Sequence, residues 1–344
     1  MHIFRGLHHP GIAPGCALTI GNFDGVHRGH QAMLALLNRQ AQERGVVSCA
    51  LTFEPHPRDY FAAAQNKPAL APARIGTLRD KLSELAQCGV QQVVVLPFNA
   101  ALAAQPAQAF IDEVLVRSLG ARYVLVGDDF RFGAQRAGDC ALLKTSGAAQ
   151  GFEVARMESY VVDGLRISST AVRQALASGD MAAAAQLLGR PYAISGHVVH
   201  GRKLGRALGA SSHGADDGFR TLNLRFAHWK PAASGIFAVH VHGLSAQPLP
   251  GVANLGVRPS IDPSDVNGGR VLLETHCLEW PAQLGAEGAY GKIIRVELLH
   301  KLHDELKYDS LDALTSGIAR DGAEARAWFA AHAQTRRQTT RDRI

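Results

Sequence analysis

The fold of the first half of the chain is decided by the stretch Cys16-Ala17-Leu18-Thr19-Ile20-Gly21-Asn22-Phe23-Asp24-Gly25-Val26-His27-Arg28-Gly29-His30. An apolar strand runs through a glycine-rich loop into a helix, so the loop can bring bare backbone and a helix N-terminus to an anion. Because His27 and His30 lie three residues apart, both imidazoles can face one phosphate chain. The spacing is not H-E-x-x-H, which makes zinc the weaker interpretation. The remaining alternative is a glycine-rich turn with two exposed histidines.

Strands and helices continue to alternate after this loop. Continuous apolar runs predict buried strands at Cys16–Ile20, Val46–Phe53, Gln92–Leu96, Tyr123–Val126 and Phe152–Met157. Helical periodicity predicts helices over Gln31–Arg44, Leu78–Cys88 and Ala107–Leu119. This alternation is typical of a parallel, doubly wound α/β sheet, whose ligands bind at the carboxyl ends of the strands.

The pattern changes near residue 188. Alternating or β-branched runs between turns rich in Gly, Pro, Asp and Asn predict strands at Ala193–Val199, Ile236–Val241, Gly251–Val257, Val271–Cys277 and Lys292–Leu299. They indicate an antiparallel barrel or sandwich, closed by helices near Leu311–Arg320 and Ala323–Ala331. We therefore expect an α/β domain over residues 1–188, a β domain over 189–333 and a basic tail over 334–344.

Composition excludes several classes of protein. With 344 residues, 47% of them hydrophobic and 19% charged, the chain is not disordered. The net charge is +6, but the last ten residues hold four arginines against one aspartate and no aromatic residue, which argues against nucleic-acid binding. Five dispersed cysteines argue against a disulfide framework or structural zinc. No long apolar run is uninterrupted, so we expect no membrane segment and a cytoplasmic protein.

The glycine-rich loop closely resembles the H-x-G-H signature of the nucleotidyltransferase superfamily. More narrowly, Thr19 to His27 is similar to the opening of the bacterial bifunctional riboflavin kinase/FMN adenylyltransferases, also called FAD synthetases. Further stretches match that family in order: Thr52-Phe53-Glu54-Pro55-His56-Pro57, Val126-Gly127-Asp128-Asp129-Phe130-Arg131-Phe132-Gly133 and Ile167-Ser168-Ser169-Thr170-Ala171-Val172-Arg173.

For the first domain, the resemblance implies a Rossmann-like nucleotidyltransferase that transfers AMP from ATP to FMN, giving FAD and pyrophosphate. His27 and His30 would be its catalytic residues. The other residues implied to bind ATP are Gly21, Asn22, Phe23, Asp24, Gly25, Asp129, Ser168, Ser169, Thr170 and Arg173. Pro55, His56 and Pro57 would lie on the flavin side. For His56 a structural turn is an equal alternative, and for Ser168 to Thr170 the alternative is an ordinary helix cap.

The second half is similar to the riboflavin kinase module of the same family. The matching stretches are Gly189–Gly196, Val198–Arg206, Ser234–Val239, Gly251–Pro259, Leu273–His276 and Tyr290–Lys292. The resemblance implies a six-stranded antiparallel barrel that phosphorylates riboflavin to FMN, with Glu274 as the base. The residues implied to bind ATP are Gly201, Arg202, Lys203, Gly205, Thr221 and Asn223, of which Thr221 and Asn223 would hold Mg²⁺. Taken alone, the Gly201–Gly205 stretch also fits a basic hairpin turn.

One departure from the family concerns the kinase site. The family's Phe-Pro-Thr-Ala-Asn is here Phe219-Arg220-Thr221-Leu222-Asn223, preceded by a polar insertion over residues 210–218. Loss of the proline frees a rigid φ angle, and the leucine adds bulk. The leading hypothesis is an enzyme with both activities, whose ligands are riboflavin, FMN, ATP, FAD and pyrophosphate. The alternative is an FMN adenylyltransferase with an inactive or weakly active kinase domain.

Overall fold

The computed structural model describes residues 1–162, 164–200, 221–225, 230–257, 271–285 and 287–341. The chain forms two compact units. The first consists of Met1–Pro72 and Lys81–Ala171, and the second of Ala73–Asp80 and Val172–Ile344. Among the described residues, no helix has the combination of length and apolar character that crossing a membrane requires.

The first unit is built on a six-stranded parallel sheet. Its strands are β1 (His2–Arg5), β2 (Cys16–Ile20), β3 (Val47–Glu54), β4 (Gln92–Pro97), β5 (Ala121–Gly127) and β6 (Glu153–Met157). Their order in the sheet is β1-β4-β3-β2-β5-β6, and every neighbouring pair is parallel. The predicted α/β sheet is confirmed, with β2 buried at its centre. The sequence did not reveal β1, because Phe4 is its one buried residue.

Eight helices are described before the barrel: α1 (Arg28–Glu43), α2 (Pro57–Ala64), α3 (Leu78–Gln87), α4 (Ala100–Ala104), α5 (Ala107–Phe110), α6 (Cys140–Gln150), α7 (Ser169–Ser178) and α8 (Met181–Leu188). The helix predicted over Ala107–Leu119 is found as α5 followed by a π-helical segment at Ile111–Ser118. In this wider segment the Ser118 hydroxyl donates to the Glu113 carbonyl, five residues earlier. A short hairpin pairs β7 (Val161–Val162) with β8 (Leu165–Arg166).

The second unit contains a closed six-stranded barrel. Its strands are β9 (Tyr192–Val199), β10 (Thr221–Arg225), β11 (Gly235–His242), β12 (Leu249–Val257), β13 (Val271–Cys277) and β14 (Ile293–His303). The order is β10-β13-β12-β11-β14-β9, and antiparallel pairing of β9 with β10 closes the barrel. This confirms the predicted six-stranded antiparallel barrel. The sequence did not predict β10, whose Thr221 and Asn223 we assigned to a phosphate-binding motif.

The prediction of two C-terminal helices is wrong, because one helix, α9 (Leu311–Arg341), covers both segments. The predicted break held only Asp321 and Gly322. A glycine inside a helix costs about 1 kcal/mol but does not end it, and Asp321 is buried against the barrel strand β14. The side chains of the predicted basic tail, from residue 334 onward, lie outside the described residues.

His303 joins the end of β14 to α9. Its Nδ1 donates to the Asp304 carbonyl at 2.7 Å and its Nε2 to the Asp321 carboxylate at 2.9 Å. Burial lowers the pKa of His303, but these two hydrogen bonds and the Asp321 charge outweigh it, so the pKa is raised overall. The doubly protonated ring is therefore the form that fastens the helix to the barrel.

We expect this pair to stabilise the barrel at acidic pH. The folded-state pKa of His303 is raised. The contribution of the pair to the free energy of unfolding is therefore complete at pH values below the unfolded-state pKa, near 6.5, and is lost as the pH rises through the folded-state pKa. His303→Gln should therefore lower the free energy of unfolding by up to about 1 kcal/mol at pH 5.5 and by less at pH 8.5. Urea denaturation of both proteins at the two pH values measures this difference, and an effect of equal size at both would contradict it.

Candidate active sites

The carboxyl end of β2 carries the two histidines that the sequence singled out. His27 is the N-cap of α1, and its Nδ1 accepts a hydrogen bond from the His30 backbone N–H at 3.3 Å. The two imidazoles stack with ring centroids 3.7 Å apart and an interplanar angle of 14°. With Nδ1 as an acceptor, the neutral His27 ring carries its proton on Nε2, which can donate to a phosphate oxygen. The structure thus brings both rings together at a helix N-terminus.

The loop before these histidines has an unusual backbone. Phe23 and Val26 have φ angles of 47° and 39°, in the left-handed region that is strained for a β-branched residue. Both side chains are buried, and the Phe23 ring meets the His30 ring edge-on at 5.2 Å. Behind the loop, the Thr52 hydroxyl donates to the Asn22 carbonyl at 3.4 Å. The surrounding packing therefore holds a strained loop in one position.

A buried cation behind this loop was missed by the sequence analysis. Lys81 is 3% exposed, and its Nζ donates to the Thr52 hydroxyl at 3.4 Å. The residue shares a face of α3 with Leu85, which is fully buried. The available signal was that Lys81 lies four residues before Leu85, on the side of the helix where apolar residues are expected. It places positive charge near the loop that carries the histidines.

The hydroxyl-rich motif meets the same loop. The Ser169 hydroxyl donates to the Asp24 carbonyl at 3.1 Å, and Asp24 is itself buried. Ser168 caps α7 by accepting from the Ala171 N–H at 3.2 Å. A Cβ added at Gly29 would lie 3.3 Å from the His27 ring, so the glycine lets this imidazole lie close to the backbone. Two predicted motifs, 145 residues apart, thus lie side by side in the first unit.

The turn predicted on the flavin side lies at the carboxyl end of β3. His56 is buried and caps α2, with its Nδ1 accepting from the Arg58 N–H at 3.1 Å. This contact gives His56 the structural role that the sequence analysis held open. Pro57 begins α2, and the Glu54–Pro55 peptide bond is cis.

Next to this turn lies an aromatic cluster that the sequence analysis did not identify. Rings of Phe53, Tyr60 and Phe61 all meet Phe98 edge-on, at centroid distances of 5.8, 5.4 and 5.7 Å. Phe61 is 44% exposed. The available signal was the position of these aromatic residues: Phe53 lies within the Thr52–Pro57 motif, Tyr60 and Phe61 follow it, and Phe98 comes directly after β4. Such a cluster offers apolar surface to a flat aromatic ligand at the carboxyl edge of the sheet.

Acidic and basic side chains meet after β5. Arg166, on the short hairpin, lies 3.7 Å from both Asp128 and Asp129. The hydrogen bond from Ser159 and, secondarily, the charge of Arg166 lower the pKa of Asp128. Asp129 is the more exposed of the two carboxylates. Arg166 was not predicted, although its position directly before Ile167 and Ser168 was a usable signal.

Arg173 belongs to the second unit. Its Nε donates to the Ala73 carbonyl at 2.7 Å. Ala73 begins a segment, Ala73–Asp80, that binds to barrel residues through its backbone. Arg74 exchanges two backbone hydrogen bonds of 3.0 Å with residues 230 and 232. At the other end of the segment, the contact is made by a side chain: the Asp80 carboxylate accepts a hydrogen bond from the Ser195 N–H at 3.0 Å. Burial raises the pKa of this carboxyl.

The barrel brings together the predicted kinase residues that are described. Asn223 on β10 lies directly opposite Glu274 on β13, and Thr221 lies opposite His276. Residues two apart share a face of a strand, so Thr221 and Asn223 face the same side as Glu274. Leu222 faces the opposite side and is 2% exposed, next to the buried Thr275. Gly201, Arg202, Lys203, Gly205 and the insertion over 210–218 lie outside the described residues.

Comparison with known proteins matches both halves of the chain. Residues 9–171 match the family model described as FAD synthetase, and residues 188–329 match the one described as riboflavin kinase. The bifunctional riboflavin kinase/FMN adenylyltransferase of Escherichia coli (strain K12) is 45% identical over 331 residues, covering 96% of this chain and 98% of that protein. The protein of the same description from Pseudomonas fluorescens is 42% identical, with 95% and 97% covered.

The fold is also found in a solved structure. A crystal structure described as a macrolide-efflux protein from Streptococcus pneumoniae aligns with a TM-score of 0.70 at 25% identity, over 95% of this chain and 100% of that one. An α/β unit with an H-x-G-H loop, followed in the chain by a closed barrel with a polar strand face, defines a two-module transferase that uses ATP. The chain belongs to the family of bifunctional riboflavin kinase/FMN adenylyltransferases.

Proposed function

We propose that the first unit transfers AMP from ATP to FMN, with His27 and His30 as the residues that act on the ATP phosphates. The observation that supports this proposal is the stacked histidine pair at the N-terminus of α1. In the reaction the FMN phosphate attacks the α-phosphorus of ATP, and pyrophosphate leaves. No covalent nucleophile is needed, because catalysis consists of positioning and of stabilising the developing phosphate charge.

The remaining predicted residues have defined places in this proposal. The loop over residues 21–25 approaches the nucleotide with its backbone, and Ser169 holds that loop through Asp24. Asp129, in the turn after β5, and Thr170 and Arg173, on the helix α7 that Ser168 caps, are the other residues that we propose to bind ATP. The turn at Pro55 to Pro57 and the aromatic cluster around Phe98 are on the flavin side. The flat isoalloxazine ring of FMN fits such an apolar surface.

The barrel, we propose, phosphorylates riboflavin to FMN. Glu274 accepts the proton of the riboflavin 5′-hydroxyl as that oxygen attacks the γ-phosphorus of ATP, and ADP leaves. Glu274 is half-buried on a strand face that it shares with Asn223 and Thr221. The glycine-rich stretch Gly201–Gly205 completes the nucleotide site in this proposal. FMN made here is the substrate of the first unit.

Mg²⁺ is the cation proposed for the kinase site. Asn223 is 2% exposed, and its Oδ1 has no hydrogen-bond partner among the described residues. An orphaned carboxamide oxygen beside a threonine hydroxyl fits a hard cation that prefers oxygen ligands. Thr221 and Asn223 would hold the ion, which would offset negative charge on the ATP phosphates.

The departure at Leu222 does not argue against the kinase. The leucine packs towards the barrel interior, so its bulk is directed away from the face of Thr221 and Asn223. The relatives compared above are named for both activities. Both reactions consume ATP, and the cytoplasm is their proposed location. The hypothesis of an enzyme with both activities is therefore favoured over that of an adenylyltransferase alone.

Chromatography of the reaction products distinguishes the enzyme with both activities from an adenylyltransferase alone. The full chain is incubated with ATP and Mg²⁺, in one reaction with riboflavin and in a parallel one with FMN, and each is repeated with a chelator. Without the chelator, we expect riboflavin to give FMN and FAD, and FMN to give FAD. With the chelator, we expect riboflavin to give neither FMN nor FAD. Formation of FAD from FMN, with no FMN from riboflavin at any Mg²⁺ concentration, would establish the adenylyltransferase alone.

A further inference from the structure

A polar row crosses three strands of the barrel. Asn223 on β10 and Asn254 on β12 each lie directly opposite Glu274 on the central strand β13. Directly opposed residues have Cβ atoms about 4.5–5.5 Å apart and side chains on the same face. Glu274 is therefore flanked by two carboxamides, and only Asn223 has a role in the proposed site.

Asn254 has an unsatisfied polar atom. Its Oδ1 is buried, and no described residue supplies it with a hydrogen bond. Buried polar atoms of native proteins are almost always paired, so an orphan beside an active-site carboxylate indicates a ligand group as its partner. A carboxamide oxygen accepts hydrogen bonds or binds cations, so the partner is a donor or a cation.

The position of Asn254 separates it from the proposed cation. Thr221 and Asn223 lie on β10, and Asn254 lies two strands away, at about 10 Å for a strand spacing of about 4.8 Å. Ligands of Mg²⁺ lie about 2.1 Å from the ion, so one ion cannot bind both Thr221 and Asn254. Asn254 is therefore on the opposite side of Glu274 from the phosphate donor.

Charge on the same face also disfavours phosphate at Asn254. The Glu305 carboxylate occupies the place that a Cβ on Gly256 would take. Gly256 is two residues from Asn254 along β12, on the same face of the strand. Asn254 thus lies in a neighbourhood with two carboxylates, Glu274 and Glu305, which repel phosphate oxygens and leave a neutral hydroxyl undisturbed.

We propose that Asn254 accepts a hydrogen bond from the ribityl hydroxyl adjacent to the one that is phosphorylated, and so selects the polyol substrate. This inference rests on the proposed kinase site, because it takes Glu274 as the residue that meets the 5′-hydroxyl. Holding the neighbouring hydroxyl on β12 fixes the ribityl chain with its terminal oxygen at Glu274. Asn254 is a specificity residue in this arrangement, and the base remains Glu274.

The test compares riboflavin with 4′-deoxyriboflavin, which lacks the neighbouring hydroxyl. With the full chain, we expect kcat/KM for phosphorylation to be about tenfold higher for riboflavin. Asn254→Ala should remove this preference by losing activity on riboflavin alone, with the KM for ATP unchanged. Asn254→Asp, which keeps an acceptor oxygen, is the matched control and should retain the preference.

Failures of the two proposals are distinguishable. If Glu274→Gln phosphorylates riboflavin normally, the proposed kinase site is wrong. If Glu274→Gln is inactive but Asn254→Ala discriminates between the two flavins as the parent does, Asn254 has no part in selection. Equal losses on both flavins would also overturn the inference. If Asn254→Ala does not fold, Asn254→Leu, close in size and without an acceptor, takes its place in the comparison.

Discussion

Replacing His27 or His30 with alanine is expected to lower FAD formation from FMN by about 10²–10³-fold, while FMN formation from riboflavin stays unchanged. The size follows from the loss of a preorganised donor at a developing phosphate charge. The two rings stack at 3.7 Å, and the His27 ring also accepts from the His30 backbone. Removal of either ring therefore disturbs the other. Initial rates of the two reactions, measured separately on each variant, check the prediction.

The matched control for this experiment is His8→Ala. His8 is an exposed histidine of the same unit and lies outside the glycine-rich loop. This variant should keep both activities. If His27→Ala lowered both reactions equally in a protein that remained folded, the assignment of two separate sites would fail. Circular dichroism of the variant establishes that it is folded.

Glu274→Gln is expected to have the converse effect, lowering riboflavin phosphorylation by about 10²–10⁴-fold while FMN adenylylation is retained. This is the range for the loss of a positioned general base. Glutamine keeps the size and the hydrogen-bonding capacity of the side chain, so the loss isolates proton acceptance. FMN formation from riboflavin and FAD formation from added FMN are measured on the same preparation.

Glu279→Gln serves as the control, because Glu279 is an exposed carboxylate just after the same strand, β13. It should phosphorylate riboflavin at the parental rate. Normal kinase activity in Glu274→Gln would remove Glu274 from the site and move the kinase centre elsewhere on the barrel.

The sequence was most informative where local patterns and buried structure coincide. The strand Cys16–Ile20 was predicted to the residue because five buried side chains leave an unbroken apolar run. The H-x-G-H loop was located because its signals are also local: it follows this apolar strand, contains glycines and leads directly into a helix. The Ser168 cap likewise follows from a hydroxyl placed three residues before a backbone N–H at a helix start.

Features that depend on distant neighbours were not predictable. Thr221 to Arg225 do alternate polar and apolar residues, but the run is only five residues long and was assigned to a phosphate-binding motif. Its pairing with β9 and β13 is what defines it as a strand. The unbroken helix α9 depends on burial of Asp321 beside His303, which cannot be read from Asp-Gly. Lys81 and Arg166 were missed because their significance comes from contacts with Thr52, Asp128 and Asp129.

The segment Ala73–Asp80 makes the two modules inseparable by a single cut of the chain. It lies in the middle of the N-terminal sequence but is part of the barrel unit. A barrel expressed from residue 189 alone would leave the Ser195 and Ala232 N–H groups without the acceptors that this segment supplies. The barrel unit therefore takes residues from both sides of the boundary near residue 188, and a stable isolated barrel would have to include this segment.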